Sequence, residues 1–256
     1  MVKSVTGKIR LIYYYLIGLI GMCESDVILA AYPRSGSTWV RFLLCNLISL
    51  QEWGGKTVNF SLLNQTMVEL GVSDLTKPWL HTTLPRVVKT HKPYWPVFRK
   101  AGDVIGVVRD PRDVMVSYFH YKKDRQESYE GDFSRFIRNQ RFGLEAWFKH
   151  YVSWQPHYTL LVRYEELKQD TYGEFSRILE LLNVRCPTRI INEAIERSNI
   201  QNIRKVEGSS NGLKTKDELF ARDGSTQQWC DYFSARDLSY YESLVMEYDF
   251  DLYKYG

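Results

Sequence analysis

Residues 27–44 read VILAAYPRSGSTWVRFLL: an apolar run, a tight polar turn around Gly36 and an apolar helix-length segment in immediate succession. The run from Val27 to Tyr32 is nearly all apolar, as strands buried on both faces of a parallel sheet are. In a strand–turn–helix of this kind the glycine lets the backbone approach an anion, and the free amides of the helix start point at its oxygens. Ser35, Ser37 and Thr38 would add hydroxyl donors, and Arg34 a permanent positive charge. The pattern G-x-x-x-x-G-K-[ST] is absent, because Ala31 stands five residues before Gly36 and Ser37 follows it, which demotes an ordinary nucleoside-triphosphate site. Taken alone, the turn also fits a capped helix start with no ligand.

Outward from this turn the same grammar repeats. Short β-branched runs at Arg86–Thr90 (RVVKT), Val104–Val108 (VIGVV) and Thr159–Tyr164 (TLLVRY) alternate with helix-length segments at Ser37–Leu50, Pro111–Tyr121, Phe133–Tyr151 and Glu165–Asn183. Alternation of strand and helix predicts an α/β fold with a parallel sheet. No repeat or linker divides the chain, so residues 1–256 read as one domain. The polar, glycine-bearing stretch 198–228 reads as a mobile loop.

Composition narrows the function. Thirty-four Lys and Arg against 30 Asp and Glu leave a net charge of +4 over 256 residues, with an isoelectric point near 8.7. That balance excludes a dedicated nucleic-acid binder and leaves room for a locally basic pocket for a small anion. Cys23, Cys45, Cys186 and Cys230 are too far apart for a zinc pattern and read as reduced thiols of a cytoplasmic protein. The apolar stretch LIYYYLIGLIGM (11–22), part of an N-terminal apolar segment 1–25, is short of the roughly 20 residues of a spanning helix. It reads first as an element docked on the core; membrane contact through 9–22 is possible but less favoured, and a secretory signal less still.

Ligands of open parallel sheets bind beyond the carboxyl ends of the strands. Here those ends carry the Ser/Thr turn, then Lys89-Thr90-His91, then Arg109-Asp110-Pro111-Arg112, then Arg163-Tyr164-Glu165. Singly, His91 reads as structural, and Arg109 as a partner of Asp110 or Asp113. Together with Ser117, eight residues beyond Arg109 on the next helix, they make a constellation able to hold a terminal phosphate.

AYPRSGSTW, RVVKTHKPY, VIGVVRDPRDVMVSYFHY, LLVRYEEL and ARDGSTQQWCDYF, in that order and spacing, resemble the motifs of sulfotransferases that use 3′-phosphoadenosine 5′-phosphosulfate. The resemblance runs from about Val27 to Phe233 and implies a P-loop-like three-layer α/β/α fold with a central, mainly parallel sheet flanked by helices. It places Arg34, Ser35, Gly36, Ser37 and Thr38 on the 5′-phosphosulfate and Trp39 beside the adenine. It places Arg109 and Ser117 on the 3′-phosphate, Tyr164 against the adenine, and Arg222 and Gly224 in a late segment covering the 3′-phosphate. Trp229 and Phe233 keep the spacing that follows.

Departures accompany the match. Arg34 stands where the family usually has Lys, and Asp223 where the late motif is basic; Ser198 falls only loosely on a serine or threonine preceding that loop. Cys230, Ser234, Ala235 and Ser239 occupy the places of the dimer signature of animal cytosolic members, so no oligomeric state is inherited. The implied chemistry is in-line transfer of the sulfuryl group to a hydroxyl or amine of a small-molecule acceptor, with 3′-phosphoadenosine 5′-phosphate as product and no metal. His91 is the general base, and Lys89 and Arg34 neutralise the leaving oxygen. The competing readings are a P-loop-type nucleotide kinase and a non-catalytic nucleotide-binding protein.

Overall fold

The structure, a computed structural model, describes residues 13–211 and 224–251. Four parallel strands, β1 (Val27–Ala31), β2 (Val87–Thr90), β3 (Asp103–Val108) and β4 (Leu160–Arg163), form one sheet in the order β2-β1-β3-β4. All but the outer ends of β3 and β4 are buried, and the strand side chains divide between two cores. Val27, Leu29, Ala31, Val87, Ile105, Val107 and Val162 face one core. Ile28, Ala30, Val88 and Val104 face another on the opposite side. This period-2 split of an unbroken apolar run is what a sheet covered on both faces requires.

The first face is covered by α2 (Ser37–Glu52), α3 (Phe60–Thr66), α7 (Tyr164–Gln169), α8 (Thr171–Leu181), α9 (Thr188–Arg197) and α10 (Ile200–Asn211). The second face carries α1 (residues 13–21), with Trp154 at the end of α6 (Leu144–Trp154). An aromatic-rich third core joins α4 (Pro111–His120), α5 (Phe133–Ile137), α6 and α11 (Ala235–Glu247). The result is the expected α/β/α sandwich.

Three sequence expectations need correction. The segment Phe133–Tyr151 is two helices, α5 and α6, because the chain turns at Asn139–Gly143, where the Gly143 amide donates to Asn139 O at 2.7 Å. The segment Glu165–Asn183 breaks at Asp170, whose carboxylate accepts from the Gly173 amide at 2.8 Å and caps α8. The stretch 198–228 is not a loop throughout, since α10 spans Ile200–Asn211. Asn199 caps it through the Asn202 amide (2.8 Å). Ile203 and Val206 dock on the first core, and buried Glu207 meets Arg125 at 2.6 Å. Arg222 and Asp223 lie outside the described residues.

Candidate functional site

The Gly36 turn sits where β1 ends, at the carboxyl edge of the sheet. Arg34 adopts a left-handed backbone (φ 74°) and Gly36 follows at φ 110°, a pair of conformations that folds the chain back onto the start of α2. A non-glycine residue there carries strain of order 1–3 kcal/mol, retained where surrounding structure imposes it. No side chain caps α2, which leaves its first amides open to an exogenous anion. Gly36 also has no room for a side chain: a Cβ there would lie 2.7 Å from the Tyr164 ring.

Third-motif residues close around this turn. The Ser117 hydroxyl accepts from Arg34 Nε at 3.1 Å, and the Arg34 guanidinium lies 5.0 Å from the Tyr121 ring centre. Arg109, 4% exposed, stacks 4.5 Å over Tyr164 and donates from Nη2 to Ser225 O at 2.8 Å. Tyr164 donates to Gly224 O at 3.0 Å and meets Trp39 edge-on at 5.8 Å. Arg34, Ser35, Gly36, Trp39, Arg109, Ser117, Tyr164 and Gly224 thus occupy one edge of the sheet, although Arg109 and Ser117 bond to different partners rather than to a common one. Ser35 Oγ, Trp39 Nε1 and Arg109 Nε are buried with no hydrogen-bond partner among the described residues. Buried polar atoms are normally satisfied, so three such donors around an uncapped helix start fit an anionic, hydrogen-bonding ligand.

Beside the cradle lies a second set of side chains, placed by strand register. β1 and β2 pair Ala30 with Thr90, so His91 falls next to Ala31, whose carbonyl lies 2.7 Å from His91 Nδ1. A carbonyl only accepts, so Nδ1 carries the proton and neutral His91 presents Nε2 as a free lone pair. Burial, with Lys89, Arg41 and Arg34 nearby, holds its pKa down at about 3. Lys89, 7% exposed, is 3.0 Å from Glu69 Oε2, and burial lowers its pKa against the pull of that carboxylate. His150 lies edge-on to Tyr32 at 5.6 Å, with Nε2 buried and no hydrogen-bond partner among the described residues. Its pKa is likewise held at about 3, by burial and then by His91.

Several contributors were not evident in the sequence. Asp113, 1% exposed, accepts from the Gln227 amide (2.7 Å) and the Trp229 amide (3.2 Å) and so fixes the late segment at those two residues. Its place four residues after Arg109 suggested only an ion pair, which exists at 3.8 Å. Glu69 and His150 carry no motif that marks them, and the resemblance assigns no role in the site to Tyr32, although it lies inside AYPRSGSTW. Ser198 is fully buried, accepting from Asn46 Nδ2 at 3.0 Å and donating to Ala194 O at 2.7 Å, so its hydroxyl is engaged within the fold. The four cysteines are free, and no cluster of metal-ligating side chains occurs among the described residues.

Comparison with known proteins gives this edge its context. A family profile described as "Sulfotransferase domain" matches residues 24–247. Human Sulfotransferase 2A1 is 28% identical over 249 residues, covering 90% of this chain and 86% of that protein. Bovine Sulfotransferase 1A1 is 28% identical over 225 residues, covering 79% and 75%. Among solved structures, mouse sulfotransferase SULT7A1 complexed with PAP aligns with a TM-score of 0.65 at 20% identity, covering 93% of this chain and 89% of that one. Retinol dehydratase in complex with retinol and PAP aligns at 0.70 and 20% identity, covering 90% and 82%. With the family profile spanning nearly the whole sandwich and its site edge, the chain belongs to the sulfotransferase family.

Proposed function

We propose that the protein transfers the sulfuryl group of 3′-phosphoadenosine 5′-phosphosulfate to a hydroxyl or amine of a small-molecule acceptor, with His91 as general base. The observation that carries this reading is the 2.7 Å bond from His91 Nδ1 to Ala31 O, which presents the basic Nε2 beside the anion cradle. The unpartnered donors Ser35 Oγ and Arg109 Nε support a nucleotide bearing phosphate or sulfate at both ends. In this reading Arg34, Ser35, Ser37, Thr38 and the turn amides hold the 5′ group, while Arg109, Ser117 and Arg222 hold the 3′-phosphate. Trp39 and Tyr164 frame the adenine, and Gly224 follows Arg222 in the covering segment.

His91 takes the acceptor's proton as the nucleophile approaches, a contribution that commonly amounts to about 10²–10⁴ in rate. Its low pKa in the free protein keeps the imidazole unprotonated at neutral pH, and the anionic donor, by offsetting the positive charge of Lys89 and Arg34, raises its basicity for the proton transfer. Arg34 and Lys89 supply positive charge toward the bridging oxygen, with Glu69 keeping Lys89 in place. The scheme gives no role to a metal. On the acceptor side, the neutral rings of Tyr32 and His150 favour an organic acceptor over a charged one. The reading places the enzyme in the cytoplasm, where the thiols stay reduced. The test is transfer of labelled sulfate from the donor to a panel of hydroxylated and amino compounds. Transfer to at least one is expected; a donor nucleotide that fails to bind in calorimetry would overturn the reading.

A further inference from the structure

Helix α1 exposes an apolar face opposite the one it packs on the core. Its large apolar residues Tyr13, Leu16 and Ile20 fall at spacings of three and four, hence on one helix face, and are 57%, 55% and 74% exposed. Its small residues face inward. A Cβ on Gly18 would stand 2.6 Å from a Leu70 methyl, and one on Gly21 would overlap the backbone of Leu75. Close approach at the two glycines, with Tyr15 and Met22 packed on the core, seats the helix, while Tyr13, Leu16 and Ile20 point away from it.

The segment following His91 flanks this face. Lys92 Nζ lies 5.4 Å over the Tyr15 ring, and Lys100 Nζ donates to Leu19 O at 3.1 Å, so residues 92–100 are tied to α1 at both ends. Between those ties Trp95 is 58% exposed and Arg99 is exposed. Neither 1–22 nor 92–100 contains an acidic residue, and Lys3, Lys8 and Arg10 precede the helix in sequence. No helix among the described residues is long and apolar enough to cross a membrane.

We propose that α1 and the 92–100 segment form a docking surface for the anionic face of a lipid bilayer, with α1 lying in the interface. Aliphatic residues to enter the acyl boundary, tyrosine and tryptophan to sit at headgroup level and the flanking cations Lys92, Arg99 and Lys100 match that environment. A second copy of the chain is the poorer occupant, because a two-fold contact would set these cations against one another with no carboxylate in either segment to answer them. The inference does not depend on the reaction assigned above.

The test is sedimentation of the full chain with phosphatidylcholine vesicles, with and without roughly 30 mol % phosphatidylserine. Binding to the anionic vesicles is expected to exceed binding to neutral ones by about tenfold and to fall with added salt. Ile20→Asp and, separately, Arg99→Glu should each lower it several-fold, with circular dichroism unchanged. Ile20 is the most exposed of the three, so its replacement leaves the packed face of α1 intact, and Arg99→Glu serves as the second reading. Absence of binding by the unmodified chain, or unchanged binding by both variants, would overturn the proposal. So would a dimer in light scattering that Ile20→Asp dissolves in the absence of vesicle binding.

Discussion

The two sides of the site edge are made of different matter. The cradle side is assembled from permanent cations and backbone: Arg34 bonded to Ser117, Arg109 bonded to Ser225, and the uncapped start of α2. The side beside it is assembled from rings kept uncharged by burial, His91, His150 and Tyr32. One side offers fixed charge to an anion and the other withholds charge from a proton acceptor. A transfer reaction needs both: the leaving oxygen gains negative charge that fixed cations answer, while the base must be unprotonated when the acceptor arrives, a state that burial and the nearby Lys89 and Arg34 favour.

The division makes its strongest prediction at His91. Replacing it by Ala should lower turnover by about 10²–10⁴ while leaving calorimetric affinity for 3′-phosphoadenosine 5′-phosphate nearly unchanged. Equal loss of binding and turnover would mean the two sides are one. Arg109→Ala should do the reverse of His91→Ala, costing about 2–3 kcal/mol of nucleotide affinity, or roughly a hundredfold. Its signature is loss of preference for that nucleotide over adenosine 5′-monophosphate. A variant that keeps the preference would remove Arg109 from the 3′-phosphate.

The neutral side predicts a pH response in stability. In the unfolded chain both histidines take up a proton as pH falls through about 6.5, but His91 and His150 in the folded protein do so only near 3. Over that window the unfolded state binds more protons, so the stability from keeping these rings neutral is complete above the unfolded pKa. It declines toward pH 3, by up to about 1.4 kcal/mol per pH unit for each group. Thermal melts between pH 7 and 5 should show the decline, and His150→Phe should make it shallower; an unaltered slope would show that His150 titrates normally. The smallest effect belongs to Ser117→Ala, which removes one acceptor from Arg34 and should weaken nucleotide binding by about 1 kcal/mol, roughly fivefold. Unchanged affinity would remove the Ser117 hydroxyl from the 3′-phosphate.

How far the sequence reaches depends on whether the information is local. The four strands lie within a residue or two of their predicted bounds, because burial on both faces writes itself as an unbroken apolar run. The Arg34–Thr38 turn was legible for the same reason, its chemistry lying within five consecutive residues. Asp113 was legible only as a neighbour of Arg109, since its amide partners Gln227 and Trp229 are more than a hundred residues away. Glu69 meets Lys89 only because residues 68–70 pair alongside β2, which no periodicity announces. Helix α10 was masked by the glycine and serines at its end, which outweighed the Asn199 cap and the Ile203 and Val206 stripe.

That non-locality also bears on how the molecule comes into being. Arg34 to Ser117 spans 83 residues, Tyr164 to Gly224 spans 60, Arg109 to Ser225 spans 116 and Asn46 to Ser198 spans 152. Each tie closes a long stretch of chain, and the entropy of that closure must be met before the contact returns anything. On a ribosome, β1 and the start of α2 emerge well before the carbonyls of Gly224 and Ser225, which receive Tyr164 and Arg109. The nascent protein therefore carries its anion cradle unfinished until that distant segment has emerged and folded back onto Tyr164 and Arg109.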